Sequence, residues 1–242
     1  MVLEVAFMFK ALKIALDDLE EFYHRLITPE AKVNRNQLLF PYYNNVRIEE
    51  TIYKLTYVTK LEGRNIFQAT MNIDTESSRD VVVKFTKRYS EDCHRACYHL
   101  RISPELLACE KLSGGWYVVV MEFLKNHTTL FSLAQKNLLA LTMWPSIEDA
   151  VRKMHRTGFV HGDLRLPNIM WALDGSIKII DFDWAGKDSQ VTYPPLLNRE
   201  SNIPWHDGVR FGVNITTKHD WHLLTTQFCN ALGVKEFVRL HV

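Results

Sequence analysis

One stretch of the chain, Phe159 to Asp183, limits what it can fold into more than any other. Short hydrophobic runs (Phe159-Val160, Ile169-Met170, Ile179-Ile180) alternate with polar segments: His161-Gly162-Asp163-Leu164-Arg165-Leu166-Pro167-Asn168 and Asp181-Phe182-Asp183. Ile169–Leu173 and Ile177–Ile180 read as two short strands, and Asp174-Gly175 between them is a turn pair. Such a hairpin folds the chain back on itself and brings Asp181 beside Asn168. The flanking hydrophobes then belong to a core, and the polar residues collect at one end of the hairpin.

Upstream, Ile52–Val58, Ile66–Met71 and Val81–Phe85 are rich in β-branched and aromatic residues and read as strands. Lys84 ends the valine run of the third, an unusual place for a charge without a partner or a task. A short helix, Ser90–Leu100, follows with Ser90 as its N-cap. Leu106–Glu110 and Trp116–Phe123 then form a hairpin around Ser113-Gly114-Gly115. From Thr128 the pattern turns helical: Leu130–Leu141, Trp144–Thr157 closed by Gly158, and a last helix over Lys218–Leu232. The organisation is α+β, a small antiparallel sheet lobe followed by a helical lobe, with the join near Leu124–Thr128. Residues 1–45 read as a helical extension and linker, 46–124 as the sheet lobe and 125–242 as the helical lobe. Ligands favour clefts between such lobes.

Composition narrows the field further. In 242 residues, 47% hydrophobic and 24% charged, there is material for a folded core. A formal net charge of +1 supplies no global field for nucleic acid or an anionic membrane, so neither is expected as a partner. Any phosphate site has to be built locally. Cys93, Cys97, Cys109 and Cys229 do not read as a disulfide framework, and no downstream ligand pair completes a zinc site with Cys93 and Cys97. Residues Val2–Leu26 form an amphipathic helix, interrupted by Glu4, Lys10, Lys13, Asp17 and Asp18, which reads as a cap on the sheet lobe. It is neither a secretory signal nor a membrane span, so a cytoplasmic or nuclear protein is expected.

The polar residues of the opening stretch suit one chemistry. Phosphoryl transfer asks for metal ions on the phosphates, a carboxylate to orient the attacking hydroxyl, and cations on the transferred group. Asp163, Asn168 and Asp181 supply oxygens suited to Mg²⁺, and Arg165 points the same way as Asp163 from an extended loop.

His161-Gly162-Asp163-x-Arg165-x-x-Asn168 resembles the catalytic loop of the protein-kinase superfamily, H-R-D-x-K-x-x-N, and Asp181-Phe182-Asp183 resembles its D-F-G. The resemblance spans about Tyr53 to Phe228 and implies a bilobal protein-kinase-like fold with a reduced helical lobe, ATP as substrate and Mg²⁺ as cofactor. It implies Asp163 as catalytic base, Arg165 as the cation on the transferred phosphate, and Asn168 and Asp181 as metal ligands. Lys84 resembles the strand lysine that pairs with the α/β-phosphates, Gly63 the remnant of a glycine-rich loop, and Met121 the residue gating the back pocket. Glu122 to Leu124 resemble the hinge that holds adenine, and Asp220 the helix aspartate that accepts hydrogen bonds from the catalytic-loop backbone. With Trp184-Ala185-Gly186, the narrower likeness is to compact kinase-like proteins of mushroom-forming fungi.

Four departures bear on function. Leu61-Glu62-Gly63-Arg64-Asn65 holds one glycine where three are usual. Gly162 replaces the arginine that would read a phosphorylated activation loop, as in small-molecule kinases of the aminoglycoside and choline type. Asp183 replaces the glycine of D-F-G and reads either as a further metal ligand or as a solvated turn residue. The region beyond Asp220 is short, and the acid expected to pair with Lys84 is Glu91 or Asp92. Trp171 and Trp184 read as packing, and His155, His206 and His222 receive no role. The leading expectation is an ATP-dependent kinase, nominally serine/threonine-type on protein; the alternatives are a small-molecule kinase and an inactive pseudokinase scaffold.

Overall fold

The strand-forming segments of the first half pair into one antiparallel sheet. In the computed structural model, which describes residues 2–26, 40–61, 65–74, 77–112, 114–195, 197–198 and 203–234, the sheet holds β1 (Asn45–Ile48), β2 (Thr51–Leu61), β3 (Ile66–Asn72), β4 (Ser78–Thr86), β5 (Leu106–Lys111) and β6 (Tyr117–Glu122), ordered β1-β2-β3-β4-β6-β5. The chain divides into two compact units, Met1–Tyr42 and Tyr43–Val242. The first contains α1 (Val2–Leu26), amphipathic as its sequence implies, with a Lys13–Asp17 ion pair one turn apart at 3.4 Å. Among the described residues, no helix is long and apolar enough to cross a membrane. Glu62, Gly63 and Arg64 of the turn expected over Glu62-Gly63-Arg64-Asn65, the linker up to Leu39 and Ser113 of the predicted hairpin turn lie outside the described residues.

Strand alternation explains where the sheet's core sits. Val81 and Val83 of β4 and Val118 and Val120 of β6 are fully buried, and with Leu55, Ala69 and Met71 they form one cluster. In β4 the opposite phase carries Val82 and Lys84, with Lys84 opposite Val119 of β6.

α2 (Glu91–His99) follows the sheet's fourth strand and turns Cys93, His94 and Cys97 into the core. Ser90 does stand at its N-cap, but its side chain makes no capping bond; its amide donates instead to the Phe182 carbonyl at 3.0 Å. All four cysteines are free, and among the described residues no group of three metal-ligating side chains is poised around a metal.

β7 (His127–Thr129), too short to stand out in sequence, leads into α3 (Leu130–Gln135). That helix stops six residues before the predicted Leu141, because Asn137 takes a left-handed φ of 55°. α4 (Trp144–Arg156) buries Ile147, Ala150, Val151 and Met154 and ends before Gly158, whose φ of 78° reverses the chain. β8 (Phe159–Val160) pairs with β11 (Gly186–Lys187), and β9 (Ile169–Ala172) lies between β7 and β10 (Ile177–Ile179). The two predicted strands do pair as a hairpin, with Ile169 opposite Ile179. α5 (Thr217–Leu232) closes the second core, where Leu164, Leu166, Ile169, Ile179 and Phe182 pack with α2, α4 and α5.

Candidate active site

The loop from His161 to Asn168 is held from behind by buried hydrogen bonds. Asp220, near the start of α5 and 1% exposed, accepts from the amides of His161 and Gly162, both at 2.8 Å. His155 Nε2 meets the same carboxylate at 3.0 Å, a role for this residue that its sequence context does not signal. His161 Nε2 faces the Ile180 carbonyl at 2.9 Å and must donate to it, so Nδ1 is left to accept from the Asp163 amide at 3.3 Å. This single imidazole ties the loop to the end of β10. Gly162 has φ 80°, and a Cβ there would stand 2.7 Å from Ile215 Cδ1. A side chain there, the arginine of the usual motif included, would strain the backbone and have to displace the end of Ile215, so the position favours glycine.

On this support the polar side chains converge. Arg165 grips Asp163 with two parallel bonds, Nε to Oδ1 at 2.5 Å and Nη2 to Oδ2 at 2.8 Å. Asn168 Nδ2 donates to the Asp163 carbonyl at 2.8 Å and to Asp163 Oδ2 at 3.1 Å. With its nitrogen spent on Asp163, the Asn168 amide keeps its oxygen as the acceptor. Asp181 follows the hairpin in the left-handed region at φ 69°, which a short polar residue tolerates and a β-branched one does not.

From β4, Lys84 reaches into the same cluster and is only 4% exposed. Its Nζ lies 2.6 Å from Asp181 Oδ1 and 2.5 Å from Asp183 Oδ1. Asp183 Oδ2 accepts from Thr86 Oγ1 at 2.9 Å. Burial, and then the neighbouring Asp181 charge, push the Asp183 carboxyl up to about 6, with Lys84 opposing both. The expected pairing of Lys84 with Glu91 or Asp92 is not what the structure has. Glu91 is engaged by Arg95 one turn on, at 2.8 Å, and Asp92 is exposed. The reason is rotational: α2 spends its inner face on Cys93, His94 and Cys97, which leaves Asp92 exposed and turns Glu91 toward Arg95 and Cys109.

His94 is fully buried and stacks on Phe182, with ring centroids 4.7 Å apart and planes 18° from parallel. Its Nε2 donates to the Pro104 carbonyl at 2.9 Å, and its Nδ1 accepts from the Tyr89 hydroxyl at 2.6 Å. Burial depresses its pKa to about 4, so it stays neutral.

Asp163, Arg165, Asp181 and Asp183 line a cavity of about 330 Å³ whose far wall is Trp184, Trp205, Ile203 and Asn198. Trp184 and Trp205 stack at 6.0 Å and 24°, and the Tyr193 ring meets both edge-on. Trp184 thus packs, as expected, and also faces the site. The sequence gives no sign of Trp205, because the pairing closes a loop with no regular period. Thr86 was findable: it stands two residues beyond Lys84 on a strand, on the same face.

The remaining expected binding residues sit elsewhere. Met121 is buried beside Val119 and Leu106. The Glu122 amide donates to the Glu105 carbonyl at 2.9 Å, and its carboxylate accepts from the Glu105 amide at 3.2 Å, so only its backbone carbonyl is left for a base. Leu124 is half-buried at the exit of β6. Gly63 lies outside the described residues.

The kinase PK-1 of Cydia pomonella granulovirus superposes on the chain with a TM-score of 0.57 at 15% identity, over 74% of this chain and 68% of that one. The chain has a protein-kinase-like fold. Within it, residues 103–192, less than half of the chain, match the Lipopolysaccharide kinase (Kdo/WaaP) family. Over 112 residues the chain is 33% identical to mitogen-activated protein kinase kinase kinase dlk-1 of Caenorhabditis briggsae, covering 43% of this chain and 13% of that protein. Over 100 residues it is 35% identical to 3-deoxy-D-manno-octulosonic acid kinase of Vibrio vulnificus, covering 37% of this chain and 42% of that protein. The chain therefore spans less than half the length of these relatives.

Proposed function

We propose that the chain is an ATP- and Mg²⁺-dependent phosphotransferase with Asp163 as its catalytic base. The observation that carries this reading is the convergence of Lys84, Asp163, Arg165, Asn168 and Asp181 from three separate segments. Asp163 is 7% exposed and lines the cavity, so an acceptor hydroxyl entering there meets its carboxylate directly. Arg165, now spent on Asp163, turns toward the transferred phosphate when one is present, which frees an oxygen of Asp163 for the acceptor proton. Lys84 meets the nucleotide phosphates from the β4 side.

The donor set fits a hard cation. Asn168 Oδ1 and the Asp181 carboxylate are oxygen ligands, the kind Mg²⁺ takes one or two at a time beside phosphate oxygens. Bound there, Mg²⁺ would neutralise charge on the phosphates. The backbone of Glu122 and Leu124 is the proposed adenine edge.

For the acceptor, the stacked Trp184–Trp205 wall favours a small hydroxyl-bearing molecule with a ring or flat face. Similarity to 3-deoxy-D-manno-octulosonic acid kinase agrees with that choice. A serine/threonine protein acceptor is the second reading, supported by the likeness to dlk-1 and, at 30% identity over 126 residues, to dual specificity protein kinase Ttk of Danio rerio. The narrower likeness to fungal kinase-like proteins rests on the sequence.

A thermal-shift titration with ATP tests the nucleotide site, since a ligand of the native state raises its melting temperature. A rise that requires Mg²⁺ and is lost in Asp181→Asn supports the proposal. No shift at millimolar ATP would leave a pseudokinase scaffold as the better reading.

A further inference from the structure

A lysine as deeply buried as Lys84 needs an anion, and its companion must hold it pointed at the phosphates. Two carboxylates touch it, but they are not equivalent. Asp181 is a proposed metal ligand, so its contact with Lys84 competes with Mg²⁺. Asp183 is fixed from both sides by one strand: Lys84 takes Oδ1, and Thr86, two residues further along β4 on the same face, takes Oδ2.

Nothing in α2 duplicates this clamp. The inward residues there are Cys93, His94 and Cys97; His94 has both nitrogens engaged, and Glu91 is held by Arg95 one turn on. The Phe182 ring between the two acids is fully buried, and the Ser90 amide bonds the Phe182 carbonyl, so Asp183 rides on a segment anchored in the core. Both Asp183 oxygens accept hydrogen bonds from β4, which places them for orienting an ammonium rather than for ligating a metal.

We propose that Asp183 is the positioning residue for Lys84, with Thr86 orienting its carboxylate, in place of an acid from α2. The inference rests on the reading of Lys84 as the phosphate-pairing cation. The acid that sets the lysine then lies in the metal-binding loop itself. Lysine and metal ligand are aligned by the same three residues, and neither Glu91 nor Asp92 of α2 pairs with Lys84.

The test combines a double-mutant cycle on the nucleotide-free protein with kinetics. In thermal unfolding, Asp183→Asn is expected to lower the melting temperature by about 4 °C alone and by under about 1 °C in a Lys84→Met background. With Mg²⁺ and ATP, Asp183→Asn should raise KM for ATP about 10-fold and lower kcat. Thr86→Val should produce a smaller loss in the same direction, and Asp183→Glu should recover part of it. Glu91→Gln and Asp92→Asn should change neither parameter by more than about 2-fold. Equal melting shifts in both backgrounds, a loss in Glu91→Gln or Asp92→Asn, or rescue of Asp183→Asn by a different divalent metal such as Mn²⁺ would overturn the assignment. If the wild-type protein neither binds nucleotide nor transfers phosphate, the proposed function fails; the melting cycle still decides whether Asp183 and Lys84 act as a pair.

Discussion

The two ends of the cleft are built on opposite principles. At the β4 end, Lys84, Asp181 and Asp183 form a nearly dry cluster, with side chains 5%, 13% and 20% exposed, knit by a strand on one side and an anchored loop on the other. At the cavity end, Asp163 and Arg165 answer one another in a single bidentate pair and face open space bounded by tryptophans. The first end is an electrostatic knot in which each charge depends on the others. The second is a base held by one movable cation and by the Asn168 amide. Removing a charge from the knot should therefore cost stability as well as binding, and removing one from the cavity end should cost chemistry alone.

The sharpest separation comes from Asp163→Ala. It should lower phosphate transfer by about 10³-fold while nucleotide affinity, read by thermal shift, stays within about 2-fold. Lys84→Met should do the reverse in kind. It leaves two carboxylates facing one another without a cation, and should cost about 3 kcal/mol of stability along with nucleotide affinity. Denaturant unfolding of the two variants side by side would erase the distinction if Asp163→Ala proved the more destabilised.

The third prediction concerns the core beneath the knot. His94, facing Lys84, Arg95, Tyr89 and the Pro104 carbonyl, stays neutral in the fold down to about 4, while the unfolded chain takes up a proton near 6.5. Its contribution is intact above 6.5 and is lost as pH falls from 6.5 to 4, by about 3 kcal/mol at most. Asp183, raised to about 6, works in the opposite direction over much of that window. The clean readout is therefore a difference: His94→Gln should lose less stability than wild type between pH 6.5 and 4. An identical slope would mean that the imidazole is not held neutral.

A smaller effect belongs to the wall. Trp205→Ala should raise KM for a small acceptor several-fold and leave KM for ATP unchanged, because Trp205 lines the cavity away from Lys84. Steady-state kinetics with each substrate varied in turn would show it; a change confined to ATP would place the nucleotide at this wall instead.

How much of this was readable in sequence divides along the same line. The cavity end was legible because its parts are close in the chain: His161 to Asn168 form one loop, and a hairpin with a recognisable turn returns Asp181 to it. The α+β order and the β4 lysine were equally plain, since runs of valine have a clear period. The knot's wiring was not. Whether Glu91, Asp92 or Asp183 meets Lys84 depends on the rotation of α2 about its axis, and a nine-residue helix with cysteines and a histidine inside gives the pattern little to report. Strands of two to four residues, such as β1, β7 and β8, carry too few side chains for alternation to be seen. The Trp184–Trp205 contact is a loop closure that only tertiary structure provides.

The most direct measurement is transfer of the γ-phosphate from labelled ATP by the wild-type chain and by Asp163→Ala, with Mg²⁺ present and with it chelated, across a panel of small hydroxyl-bearing acceptors and generic protein substrates. Mg²⁺-dependent label in a wild-type product, with Asp163→Ala bound to ATP yet silent, is the predicted result. Transfer by Asp163→Ala at the wild-type rate, or nucleotide binding with no labelled product from any acceptor, would contradict the assignment of this cleft as a catalytic centre.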